Sequence, residues 1–83
     1  MLKVDIGKKF GYDFYAYFFR DFENFLKSHG ITNIISYYEP CGDGTRYTFF
    51  TLSLDSGKEL YDLLKMFLEN NNINIKEVGT YYE

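Results

Sequence analysis

Apolar and polar positions alternate with a period of two at the start of the chain. Leu2, Val4 and Ile6 alternate with Lys3 and Asp5. Because successive side chains of a strand point to opposite faces, this run predicts a half-buried β-strand. Further strands are predicted by three later apolar runs, at 31–38, 46–54 and 73–82.

Between the first two strands the apolar spacing changes to three and four residues. This period places side chains on one stripe of an α-helix, here over 12–29. Asp13 is the predicted N-cap, and Gly30 is the predicted left-handed residue that ends the helix. The stripe consists of Phe14, Phe18, Phe22, Phe25, Leu26 and His29.

A second helix is predicted after the third strand. Ser56 and Glu59 have the spacing of a capping box, although Asp55 is an alternative cap. The run 70–72 is Asn-Asn-Asn, which ends the helix because Asn favours turns and tolerates left-handed backbone. The apolar face of this helix carries Leu60, Leu63, Leu64, Phe67 and Leu68.

The predicted element order is β-α-β-β-α-β in a single domain spanning 1–83. Two right-handed βαβ units of this kind form a ferredoxin-like α+β sandwich, with a four-stranded antiparallel sheet and both helices on one face. Strands one and three are then central. We expect the helix-facing side chains to be Leu2, Val4, Ile6, Phe50, Leu52 and Leu54. We expect the open face to show Lys3, Asp5, Tyr47, Phe49, Thr51 and Ser53.

The composition predicts a densely packed aromatic core and a reducing cellular compartment. Nine Phe and nine Tyr among 83 residues supply aromatic burial of roughly 150–250 Å² each. Cys41 is the single cysteine, so we predict no internal disulfide and a reducing, cytoplasmic setting. The first residues lack a signal-peptide pattern, and no apolar run approaches the length of a membrane span.

Neither the charge distribution nor the sequence motifs indicate a catalytic site. The net charge is −3 and Lys and Arg form no cluster, which disfavours nucleic acid as the partner. His29, the only histidine, is expected to interact with the last carbonyls of the first helix. Asp5 and Asp55 could pair at a metal, but helix capping explains Asp55 better. We therefore predict no catalytic residue, no metal and no cofactor.

Aromatic residues on the open sheet face are the main candidate for binding. The segment 46–50, Arg-Tyr-Thr-Phe-Phe, resembles the third-strand motif of RNA-recognition domains, which stack bases on such rings. The glycines of that motif are missing, and the first-strand position holds Lys3 or Asp5 instead of an aromatic ring. Single-stranded nucleic-acid binding through Tyr47 and Phe49 is thus the alternative to a protein contact.

The leading hypothesis is a non-enzymatic protein-interaction module that forms a homodimer. Small, acidic, Tyr-rich domains without a catalytic site are typical of phage or mobile-element inhibitors of the anti-CRISPR type. The protein partner would then be a host defence nuclease complex, with its nucleic-acid groove covered. High strand propensity is the alternative reason for the many Tyr residues. The predicted contact residues are Tyr47, Phe49, Tyr37, Tyr38, Tyr81, Tyr82 and Tyr17. A second patch would combine Tyr12 and Tyr17 with Met66.

Overall fold

The chain alternates strands and helices in the predicted order. A computed structural model describes residues 1–52 and 57–83, without the side chains of Tyr12, Tyr15 and Ala16. Short 3-10 turns at Lys8–Phe10 and Ile75–Glu77 precede α1 and β4. The elements are β1 (Leu2–Ile6), α1 (Gly11–Ser28), β2 (Ile34–Cys41), β3 (Gly44–Thr51), α2 (Gly57–Asn70) and β4 (Gly79–Tyr82).

The four strands form one antiparallel sheet in the order β2-β3-β1-β4. The α+β class is therefore confirmed, and β1 and β3 occupy the centre as predicted. Leu2 pairs with Phe49 and with Tyr82 across the two neighbouring strands. Directly paired residues share a face, so this register fixes which side chains meet the helices.

The ends of α1 follow partly from the predicted signals. Gly30 has a φ of 82°, as a left-handed terminating residue should. The N-cap is Phe10, which makes no side-chain cap, and Asp13 lies within the first turn. The predicted Asp13 cap is wrong because the 3-10 turn before it leads directly into the helix. The Asp13 carboxylate still lies near the positive end of the helix dipole.

The C-terminal third contains a shorter strand than predicted. Asn72 has a φ of 61° and ends α2, as its residue type predicts. Ile75 and Val78 are buried, and Asn74 caps the 3-10 turn Ile75–Glu77. This turn delays β4 until Gly79. The capping box at Ser56 and the alternative cap Asp55 lie outside the described residues.

Both helices pack on the same face of the sheet, which we call the covered face. Phe18 and Phe22 of α1 lie over Tyr47 and Phe49 of β3, with ring centroids 5.1 and 4.9 Å apart. In α2, Phe67 contacts Phe18 and Phe22 at 5.9 and 5.4 Å. Tyr61 of α2 contacts Tyr82, which shares its face with Leu2.

The predicted faces of β3 are reversed. Tyr47 and Phe49 were expected on the open face, but they are 4% and 0% exposed beneath α1. Phe50 pairs with Ile35 on the opposite side of the sheet. The prediction failed because it counted leucines beyond the strand: β3 ends at Thr51, and Leu52 lies outside it. Thr51 is buried, whereas Ser53 and Leu54 lie outside the described residues.

The hairpin between β2 and β3 is tighter than predicted. Strand pairing continues through Pro40–Thr45 and Cys41–Gly44, so the connection between the strands predicted at 31–38 and 46–54 shrinks to two residues. Gly42 has a φ of 58°, the sign required at the first position of a tight hairpin turn. Pro40 fits here because β2 is an edge strand, where a missing N–H is tolerated.

Gly44 brings this hairpin close to β1. A Cβ at Gly44 would collide with the backbone carbonyl of Ile6. In contrast, a Cβ at Gly7 would meet nothing within 4 Å.

In the described part of the chain, neither helix is long and apolar enough to cross a bilayer.

Candidate interaction surface on the open sheet face

The sheet face opposite the helices, which we call the open face, carries two complete rows of paired residues. No helix among the described residues packs on it. The first row runs Glu39–Arg46–Asp5–Gly79 across β2, β3, β1 and β4. The second row runs Tyr37–Thr48–Lys3–Tyr81, and Ile35 and Phe50 begin a third.

The first row is held by an ion pair at the centre of the sheet. Arg46 donates to Asp5 through Nε at 2.6 Å and Nη2 at 2.9 Å, a bidentate arrangement. The hydrogen bond from Arg46 to Asp5 raises the pKa of the guanidinium. Tyr81 adds a cation–π contact, with its ring centroid 5.5 Å from Arg46 Cζ. The ion pair fixes both side chains flat on the open face.

A shallow cavity of about 450 Å³ opens beside this ion pair. It follows β1 and β4 toward the two ends of the chain, which are joined by a hydrogen bond from Glu83 N to Met1 O. Its walls combine cationic, carboxylate and aromatic groups. The lining residues are Met1, Lys3, Arg46, Tyr81, Tyr82 and Glu83.

The other end of the open face is apolar. Ile35 and Tyr37 on β2 are 45% and 49% exposed, and Phe50 beside them on β3 is half-buried. Leu52, directly after β3, is 78% exposed. Exposed apolar side chains scattered singly are ordinary, but neighbouring ones on one face indicate an interaction surface.

Thr48 lies at the centre of the second row and is fully buried by its neighbours. Its hydroxyl oxygen has no hydrogen-bond partner among the described residues. A buried hydroxyl without a partner costs free energy, because water no longer solvates it. The open face is thus packed closely enough to exclude water from its middle while leaving rings exposed at both sides.

Two of the predicted contact residues are not on any surface. Tyr47 and Phe49 form part of the aromatic core, in contact with Phe19 and with each other. They cannot stack on a base or reach a partner without displacing α1. Nucleic-acid binding through this pair of rings is therefore contradicted by their burial.

The other predicted tyrosines divide between three places. Tyr37 and Tyr81 lie on the open face. Tyr38 lies on the covered side of the β2 edge against Phe19, and Tyr82 lies against Tyr61 at the β4 edge. Tyr17 is exposed on α1, with the Arg20 guanidinium 4.9 Å from its ring. Met66 is also exposed, whereas the side chain of Tyr12 lies outside the described set.

The open face also contains residues that the sequence did not identify as contacts. Arg46, Phe50 and Ile35 were missed because they acquire a common face only through the β2–β3 and β1–β3 registers. The available signal was the alternation of charge in Lys3 and Asp5, which already marked one side of β1 as polar. Which residues of the other strands share this side with Lys3 and Asp5 depends on the strand register, and sequence spacing does not determine that register.

Among the titratable side chains of the described ranges 1–52 and 57–83, Asp5, His29 and Cys41 have different surroundings. No three His, Cys, Asp or Glu side chains cluster there in a way that could hold a metal ion. Asp5, considered for metal binding, is engaged by Arg46. His29 Nδ1 lies 3.0 Å from the carbonyl oxygen of Phe25, which confirms the predicted interaction with the helix end. Cys41 is a free, half-buried thiol.

No protein-family model, no curated protein and no solved structure matches the chain.

Proposed function

We propose that this chain is a non-enzymatic, cytoplasmic protein-binding domain whose contact surface is the open face of its sheet. The observation that carries the proposal is the row arrangement of that face. Ile35, Tyr37 and Phe50 adjoin a rigid ion pair of Arg46 and Asp5, and none of them lies beneath a described helix.

The chemistry of the open face is typical of protein interfaces. Interface cores are enriched in Tyr, Phe and Arg, and their strongest contacts are rigid aromatic or guanidinium groups surrounded by side chains that exclude water. Here Arg46 is held by Asp5 and Tyr81 before any partner arrives. Such preorganisation reduces the side-chain entropy lost on binding.

We further propose that the architecture is the ferredoxin-like sandwich. The β-α-β-β-α-β element order and a sheet with β1 and β3 at its centre support this assignment. The placement of both helices on one face also supports it. In such a sandwich the second face of the sheet stays free for binding, which agrees with the proposed contact surface.

Two tyrosines of matched exposure provide the experiment. Tyr37 on the open face is 49% exposed, and Tyr17 on α1 is 50% exposed. Bound proteins would be recovered from lysate of the native host with three baits: the wild type, Tyr37→Ser and Tyr17→Ser. We expect Tyr37→Ser to lose proteins that Tyr17→Ser retains, by about 10-fold or more if Tyr37 is a central contact.

Equal recovery with both variants would contradict the open face as the contact surface. Circular dichroism of each bait controls for folding. The prediction that the partner belongs to a host defence nuclease complex stays a prediction, and identification of the recovered proteins by mass spectrometry is its test. Single-stranded nucleic-acid binding is not proposed, because its two rings lie in the core.

A further inference from the structure

The open face is complementary to a copy of itself. Because each row crosses the strands in the order β2-β3-β1-β4, a twofold axis parallel to the strands and between β3 and β1 exchanges equivalent positions of each row. We propose that a second copy of this chain docks face to face about this axis. The proposal rests on the proposed function, since it names the partner of the same surface.

The first row becomes electrostatically matched in this arrangement. The axis carries β3 onto β1 of the second copy, so Arg46 of one chain faces Asp5 of the other, twice per dimer. Each Arg46 then lies between two Asp5 carboxylates, one from each copy, and the four charges alternate in sign. Glu39 faces Gly79 of the second copy, so no like charges meet.

The second row gains aromatic contacts from the same operation. Tyr37 on β2 faces Tyr81 on β4 of the second copy, again twice per dimer. Both rings are about half-exposed in the single chain. Tyr side chains are favoured at interfaces because they bury a large apolar area and keep a hydroxyl for hydrogen bonding.

The charges disfavour the other simple twofold. An axis perpendicular to the strands and along the second row would place the first row over the third on the same strand. Arg46 would then face Phe50, and Lys3, which lies on this axis, would face Lys3 of the second copy. Like charges that face one another are unfavourable, so the axis parallel to the strands is the one that the register supports.

The small area of the open face indicates that the proposed dimer is weak. Four strands spaced about 4.8 Å apart and about five residues long give a flat footprint of roughly 300 Å² per copy. The total for two copies, about 600 Å², is below the range of stable protein interfaces, so the contact is of the weak, transient kind. We therefore expect weak, reversible dimers that form only at high protein concentration.

Charge exchange tests both the dimer and its axis. Asp5→Arg and Arg46→Asp each place like charges opposite one another in a homodimer, and sedimentation equilibrium should show association weakened by about 10-fold or more. An equimolar mixture of the two variants pairs every charge again, because each introduced residue faces its opposite. We expect the mixture to associate within about threefold of the wild type.

The double variant Asp5→Arg/Arg46→Asp covers the case in which a single variant fails to fold. It retains an internal ion pair in reversed polarity, so it should fold and self-associate like the wild type. It should not associate with the wild type, because arginines then face arginines. Free mixing of the two proteins, or no rescue in the mixture of folded single variants, would overturn the proposed axis.

A wild-type chain that stays monomeric at about 500 μM would overturn the dimer. That result leaves the proposed function standing if Tyr37→Ser still loses proteins that Tyr17→Ser retains. The two failures are therefore distinguishable. Conversely, if the single charge variants lose self-association and their mixture regains it, the proposed dimer is supported even if the two baits recover the same proteins from lysate.

Discussion

The covered and open faces of the sheet are built from alternate residues of the same strands, but they are organised differently. The covered face consists of rings that meet other rings, such as Phe49 with Phe22 and Tyr47 with Phe18. The open face alternates charge along its first row and leaves Tyr37 and Tyr81 half-exposed. Aromatic content alone therefore does not distinguish a core from a contact surface; the neighbours across the sheet do.

Adjacent phenylalanines on β3 give the largest test of this contrast. Phe49→Ala removes a fully buried ring from contact with Phe19 and Phe22. We expect the free energy of unfolding to fall by about 3–5 kcal/mol, the range for large-to-small substitutions of core aromatics. Phe50→Ala, on the open face, should cost about 1 kcal/mol. Urea denaturation at concentrations well below dimerisation measures both.

The reverse order of these two effects would mean that Phe50 is the core residue and that the assignment of the two faces is inverted. Comparable losses at both positions would mean that the open face is covered in solution. The first of these results would remove Tyr37 and Arg46 from the candidate contact surface.

Backbone packing between β1 and the hairpin is the next test. Gly44→Ala forces a methyl group against the Ile6 carbonyl, so strand β3 must shift or the hairpin must open. We expect a loss of roughly 1–3 kcal/mol, as for other overpacked sites. Gly7→Ala is the matched control, since its added carbon meets nothing within 4 Å and its φ is −82°. Thermal unfolding of the two variants should separate them clearly; equal melting temperatures would contradict the close approach.

A substitution at the middle of the open face is expected to increase the stability of the fold, in contrast to the two substitutions above. Thr48→Val keeps the shape of the side chain and removes a buried hydroxyl that has no partner among the described residues. Stability should increase by about 1 kcal/mol. Thr48→Ser, which keeps the hydroxyl and deletes the methyl, should destabilise the fold. A destabilising Thr48→Val would indicate that the hydroxyl is satisfied in solution.

The smallest effect is expected at the exposed margin of the open face. Ile35→Thr preserves the β-branched shape on β2 while replacing an apolar group that is 45% exposed. Its effect on the unfolding free energy should stay within about 0.5 kcal/mol. A loss comparable to that of Phe49→Ala in the same denaturation series would place Ile35 in the core.

The helices and the residues that end them, Gly30 and Asn72, were predictable because they depend on local spacing or residue type. The central position of β1 and β3 was predictable because it follows from the element order and the handedness of βαβ units. The face of β3 was not. Apolar side chains occur on both of its sides, Phe49 on one and Phe50 on the other, so the period-two signal is degenerate there. Leu52, which was counted as a strand residue in the prediction, follows the end of the strand.

The same ambiguity affected the candidate site. Tyr37 and Tyr81 were identified from composition and residue type and do lie on the open face. The ion pair of Asp5 and Arg46 joins residues 41 positions apart, and only the antiparallel register of β1 and β3 brings them together. Long-range pairing of this kind leaves no periodic trace in a single sequence.

Pro40 disfavours association of copies of this domain through the β2 edge of the sheet. Cys41 and Gly44 close a two-residue hairpin, and the alternation of an antiparallel pair then turns the nitrogen of Pro40 away from β3. A further strand that tried to extend the sheet at β2 would find no donor there. Growth into an endless ribbon is thereby discouraged at this edge, whereas stacking through the open face closes after two molecules. One imino acid thus disfavours sheet extension at the β2 edge.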